Sequence, residues 1–305
     1  DRSVSRGLGD VYKRQFFLST ELRQRAAIIY TVLELAAFGY AVRIYNRTDG
    51  TSYKFGWIFL VLTVPVVGLI LYFLWNGDRQ QKRLDLKKLP MPEEPEAQQA
   101  AHRIQMEKLR RKYPQWERLS VYLGRQGYLL YGDTEAKYLP TGEMFLQDML
   151  EKLEQAEHFI FLEFFIIAQG QIWDRMEEIF RRKAAAGVEV KIIFDDFGSM
   201  MRFPAGQIEA LRESGVEVQV FNPVHHYVNR LYFNYRDHRK IVCIDGSTAY
   251  TGGANVADEY ANLTVRFGYW KDCGIRLDGA GAWGLTREFL HMWQRNGGQL
   301  MLSLI

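Results

Sequence analysis

The sequence predicts an α/β protein held to a membrane: an N-terminal hairpin of two apolar helices, a polar linker, and one α/β domain with a mixed sheet. Three observations carry this. Two stretches near the N-terminus are apolar over roughly the thickness of a bilayer. From residue 122 onward, short runs rich in β-branched and aromatic residues alternate with amphipathic helical patterns. The phrase GVEV occurs twice, each time as a helix stop feeding a strand. A chain of 305 residues with 48% hydrophobic content can bury a sizeable core. Its formal net charge of +3 gives no bulk attraction to nucleic acid, and no nucleic-acid partner is expected. The two cysteines, Cys243 and Cys273, lie in no metal-binding spacing, so no metal or other cofactor is expected either.

Taken in order, residues 1–15 (DRSVSRGLGDVYKRQ) begin without Met and end in a string resembling translated adapter sequence. They are expected to be a non-native leader, with an amphipathic arm as the alternative. Residues 22–76 form the expected anchor. Phe55 to Trp75 has no charge and spans a ~30 Å core at ~1.5 Å per residue. Pro65 inside it is tolerated in a membrane span. Ala26 to Tyr45 carries Glu34, whose carboxyl costs roughly 3 kcal/mol at mid-bilayer. Glu34 is expected to be protonated or to face the neighbouring span; otherwise the segment lies in the interface. Basic residues follow the second segment (Arg79, Lys82, Arg83, Lys87, Lys88) and precede the first (Arg23, Arg25). Both ends, and the domain that follows, are therefore expected on the cytoplasmic side of the cell membrane.

Residues 77–116 are expected to be a linker broken by Pro90, Pro92 and Pro95, then a charged helix from Ala97 to Lys112. Residues 117–305 form the α/β domain. Helices are expected at Glu143–Gln155, Ile172–Ala186, Gln207–Ser214 and Ala282–Arg295, and strands at His158–Ala168, Val188–Phe194, Val216–Phe221 and Lys240–Ile244. Asp195, Asp196, Asn222, His225 and His226 follow two of these strands. They are read either as a headgroup or metal pocket or as turn and cap residues. Glu163, alone among apolar neighbours, is a paired buried acid near the site or an ordinary structural ion pair.

The chemistry concentrates in NYRDHRKIVCIDGSTAYTGGAN, residues 234–255. His238 and Lys240 project from one face if the run is extended. A neutral imidazole is a good nucleophile near neutral pH, and an ammonium beside it can hold a phosphate oxygen. Asn255 can add a hydrogen bond, Gly253 lets a backbone approach closely, and Asp245 can orient or electrostatically support the imidazole. A lone His-x-Lys is more often a surface pair.

The whole string H-x-K-x-x-x-x-D, followed by a Gly pair and Asn, resembles the HKD motif of the phospholipase D superfamily. With YTGGANVADEY and GYWKDCGIRLDG it is similar to bacterial cardiolipin synthases from about residue 22 to the end. The resemblance implies a phosphatidyltransferase that joins two phosphatidylglycerol molecules through a phosphatidyl-histidine. It implies His238 as nucleophile, Lys240 and Asn255 on the phosphate oxygens, and Asp245 in support. The family carries two HKD motifs, whereas this chain has one, and none of its other five histidines is followed by Lys two residues on. The chain is thus expected to be the first catalytic repeat of a longer enzyme. It would be inactive alone unless the other half, or a second copy of the chain, supplies the second histidine. The alternative function is a membrane-tethered phosphodiesterase, a phospholipase or a nuclease. For the nuclease, Tyr227, Arg230, Tyr232, Tyr235 and Arg236 offer stacking and charge.

Overall fold

The computed structural model describes residues 2–47, 50–75, 96–224 and 236–299. The basic cluster Arg79 to Lys88, Pro90, Pro92 and Pro95 lie outside the described residues. So do His225 and His226, and Tyr227, Arg230, Tyr232 and Tyr235. The chain divides into two compact units near residue 79, each described by itself.

The first unit is helical. Helix α1 (Arg2–Tyr45) runs through the leader into the first apolar segment. Its part Thr20–Tyr45 is, among the described residues, the one helix long and apolar enough to cross a membrane. The second apolar segment, expected as a single span, is two shorter helices, α2 (Thr51–Thr63) and α3 (Pro65–Trp75). The cause is local. Pro65 has no N–H to give, and it forces Val64 out of the helical region, to φ −133° and ψ 74°. The bend is sharp enough that a Cβ on Gly68 would fall 2.5 Å from the Leu60 carbonyl oxygen. Ala37, Ile44, Val61, Leu69 and Tyr72 bury a small shared core among these helices, while Glu34 stays on the exposed face.

The second unit is built on a seven-stranded mixed sheet: β1 (Thr134–Leu139), β2 (Phe159–Phe164), β3 (Glu189–Asp195), β4 (Glu217–Phe221), β5 (Ile241–Ile244), β6 (Thr248–Gly252) and β7 (Gly274–Gly279). Their order is β1-β7-β6-β5-β2-β3-β4. β2, β3 and β4 are parallel, and all other neighbours are antiparallel. Alternation along β2 sets the two faces. Ile160, Leu162 and Phe164 pack into the larger core with the helices Gly142–Leu153, Gln171–Ala185 and Ala205–Glu213. Phe159 and Phe161 pack on the other face against the closing helix Ala282–Arg295, where Phe161 and Phe289 stack at 4.8 Å. Gly187 and Gly215, at φ +90° and +88°, provide the left-handed residue between helix and strand in both GVEV phrases.

The expected elements are present with ends shifted by a few residues. β2 stops at Phe164 rather than Ala168, because the next amides turn to side chains: Ile166 N donates to Asn255 Oδ1 and Ile167 N to Ser199 Oγ. Lys240 stands just before β5 rather than within it.

Candidate active site

The ends of β2 and β3, the start of β5, the end of β6 and the start of β7 lie along one edge of the sheet, as their registers require. Loops leaving that edge carry the functional side chains, as expected where strands of opposite sense alternate. Residues 236–240 approach β5 in extended form. Their odd members turn toward the closing-helix side, and His238 and Lys240 meet on the other side.

His238 has an exposed side chain whose ring lies 4.8 Å from that of Phe165. Its Nδ1 is 3.1 Å from Lys240 Nζ. An ammonium can only donate, so Nδ1 accepts. Burial first, then the charge of Lys240, pulls the His238 pKa below its ordinary value, against the opposing pull of Asp237. The shift favours the neutral ring.

Lys240 is 4% exposed. Its ammonium donates to the His238 carbonyl at 2.7 Å and lies 5.5 Å from the centre of the Phe165 ring. Among the described residues no carboxylate stands within ion-pair distance of it. Burial brings its pKa down to about 8, with Asp237 and Asp272 opposing from farther away. A desolvated cation without a counter-ion is costly for a fold and suited to binding an anion.

Asn255, 3% exposed, ties two loops together. Its Oδ1 accepts from Ile166 N at 3.0 Å, and its Nδ2 donates to the Tyr260 hydroxyl at 2.8 Å. Gly253 has no room for a side chain: a Cβ would fall 2.2 Å from Asp272 Oδ1. Asp272 is held in turn by Cys273 N and Trp270 Nε1.

Asp245 is not brought to this edge. Five residue-to-residue steps of extended chain take it from Lys240, roughly 17 Å at ~3.3 Å each. It turns the chain at φ +50°, and its carboxylate accepts from the amides of Glu157, His158 and Phe159, each at 2.8 Å. Expected to orient or electrostatically support the site, it here braces the start of β2 against the end of β5.

Asp195, the last residue of β3, is fully buried and serves as a cap and a tether. Its Oδ1 accepts from Phe197 N and Arg236 Nη1, and its Oδ2 accepts from Asp237 N at 2.9 Å. Burial raises its pKa. Asp196 accepts from Val224 N, and Asn222 turns the chain at φ +48°. Glu163 is fully buried, with Arg239 Nη2 at 2.6 Å from its Oε1. Three contributors are not apparent from the motif: Phe165, which floors the His-Lys pair, Tyr260, which holds Asn255, and Asp272. The last sits within GYWKDC, so a signal existed; Phe165 had none beyond its place at the end of a buried strand.

Comparison with known proteins finds two family matches. Residues 149–265 match the family described as "Cardiolipin synthase, PLD-like domain", a span that contains His238, Lys240, Asp245, Gly253 and Asn255. Residues 35–76 match "Phospholipase_D-nuclease N-terminal". An uncharacterized protein of Streptococcus mutans is 37% identical over 259 residues, covering 84% of this chain and 55% of its own. Cardiolipin synthase 2 of Bacillus anthracis is 30% identical over 270 residues, 88% of this chain and 52% of its own. The major cardiolipin synthase of Bacillus subtilis is 29% identical over 275 residues, 86% of this chain and 55% of its own. The chain thus spans about half the length of the curated relatives it matches.

Proposed function

We propose that this chain, whose α/β domain is a phospholipase D-like domain of the cardiolipin synthase type, supplies one catalytic half of a phosphatidyltransferase making cardiolipin from two phosphatidylglycerol molecules. The observation that carries the reading is the Lys240 ammonium, desolvated and, among the described residues, unmatched by a carboxylate, against the His238 imidazole at the strand ends. His238 attacks phosphorus, the phosphorus–oxygen bond to the leaving glycerol breaks, and a phosphatidyl-histidine forms. The hydroxyl of the second phosphatidylglycerol then attacks phosphorus and releases the histidine. Lys240 holds a non-bridging oxygen throughout. A phosphate oxygen that draws the ammonium from Nδ1 also frees the ring to carry its proton on either nitrogen, so the nitrogen facing phosphorus can be the bare one. Asn255 fixes the loop that closes over the phosphate and turns its remaining amide N–H toward it.

The leaving alkoxide needs a proton, and the incoming hydroxyl must lose one. We assign both tasks to a second histidine, from a further catalytic half or a second copy of this chain. The apolar helix Thr20–Tyr45 supports a lipid substrate, because it holds the domain where that substrate is concentrated. In this reading both apolar segments are membrane-embedded, and the flanking basic residues keep the domain on the cytoplasmic side.

The test is the full chain in phosphatidylglycerol vesicles, wild type beside His238→Ala. The expected result is an acid-labile phosphatidyl adduct on protein, lost in the variant, with cardiolipin formed once a second histidine is supplied. Phosphatidic acid as the sole product would make water the acceptor and the protein a phosphodiesterase. An adduct that survives His238→Ala would refute the assignment.

A further inference from the structure

Six buried side-chain oxygens among the described residues have no aligned hydrogen-bond partner, and four of them fall in one cluster: both oxygens of Glu163, Asp237 Oδ2 and Glu288 Oε1. The cluster is tied to the His-Lys pair through Asp237 and Arg239, which flank His238 in the chain. Glu163 stands on β2 opposite Ile241, where Phe159 and Phe161 predict a third apolar residue. Glu288 comes from the closing helix, and Asp237 precedes the nucleophile. One cation serves all three. Arg239 places Nη2 2.6 Å from Glu163 Oε1, Nη1 2.9 Å from Glu288 Oε2, and Nε 3.5 Å from Asp237 Oδ1. The Arg239 amide also donates to Asp237 Oδ1 at 3.2 Å.

Three carboxylates around one guanidinium would leave an excess of negative charge in a buried place. A proton on Glu163 reduces the excess and also provides an O–H for the orphaned Asp237 Oδ2. The physical setting favours that proton: burial first, then the Asp237 charge, holds the Glu163 carboxyl well above the ordinary range, with Arg239 opposing.

We propose that Glu163, Arg239 and Glu288 are positioning residues. They clamp the odd members of the segment, Asp237 and Arg239, and so fix the even members, His238 and Lys240, at the separation the site uses. The clamp acts at the only stretch between the Asp195 tether and the first strand residue, Ile241. A segment of that kind, left unheld, would lose the 3.1 Å contact between imidazole and ammonium.

The link to phosphate rests on the reading of the site given above, whereas the clamp itself does not. The experiment therefore reads both. The full chain in detergent micelles is titrated by histidine-selective nitrogen NMR to follow His238, and its affinity for inorganic phosphate is measured by calorimetry. Arg239→Gln and Glu163→Leu, each checked by circular dichroism for a folded domain, are expected to move the His238 midpoint toward its ordinary value and to weaken phosphate binding on the order of tenfold. Glu163→Gln, which keeps the shape and the donor of a neutral acid, is expected to leave both unchanged. If Arg239→Gln does not fold, Glu288→Gln removes one of the three contacts and carries the same test at smaller amplitude. Folded variants with an unmoved His238 midpoint would overturn the proposal, as would Glu163→Gln acting like Glu163→Leu. A shifted His238 in a protein whose wild type binds no phosphate would support the clamp and overturn only the reading of the site.

Discussion

At the start of β5 a lysine ammonium, 4% exposed, meets, among the described residues, an imidazole ring, a carbonyl and an aromatic face. At its other end a carboxylate is saturated by three backbone amides at 2.8 Å. Both charges belong to one motif and are joined by four buried residues. The Asp245 end is solved as a structural problem: both carboxylate oxygens accept from backbone amides, and the turn is fixed. The Lys240 end is left electrostatically incomplete. A fold tolerates such a charge where the missing partner is brought by something that binds.

This contrast can be broken by substitution at either end. The largest effect is expected from Lys240→Met, which should lower adduct formation in phosphatidylglycerol vesicles by ~10²–10³-fold. Its melting temperature should hold or rise, because an uncompensated buried charge is gone. A fall in stability would show that Lys240 has a structural partner after all. Asp245→Ala should do the reverse. It strands three amides and should cost about 3 kcal/mol in urea unfolding, with the His238 titration unmoved. A moved His238 midpoint would erase the distinction between the two ends.

The next effect sharpens the comparison through pH. Burial places the Lys240 pKa at about 8, below the ordinary lysine value. Phosphate affinity should therefore fall as pH rises through 8, well before lysines usually titrate. The sign for stability is opposite. Between about 8 and the ordinary lysine value of ~10.4, the unfolded chain holds the proton more than the folded one does, so this group makes stability rise with pH. Comparing wild type with Lys240→Met isolates that slope. The smallest effect is expected at the Asp245 turn. Gly246 sits at φ +66°, and a Cβ there would lie 3.1 Å from the Trp283 ring, so Gly246→Ala should cost about 1 kcal/mol by thermal melting, with no change in adduct formation.

The site was legible where it depended on short range. His238, Lys240 and the apolar run after them lie within seven residues, and the backbone period alone puts the pair on one face. The same arithmetic puts Asp245 far away, yet the unity of the motif suggested a shared task. The period is the better guide. Glu163 was marked by its isolation among apolar residues, but its partner was not: Arg239 lies on another strand's approach, and only the β2–β5 register brings them together. In the first unit, Pro65 was visible, but an uninterrupted apolar run masked the bend. Hydrophobic content does not report whether the backbone hydrogen bonds continue.

The strand order also bears on how the domain is made. Among the described residues β1 lies at one edge of the sheet beside β7, with Thr134 opposite Gly279. β1, made before β2, must thus wait for β7, while β2, β3 and β4 can assemble as soon as they emerge. Through that interval β1 is an open template for any other extended segment. Its sequence, TEAKYL, meets the hazard with Glu135 and Lys137 in its middle, where charges discourage pairing with strangers.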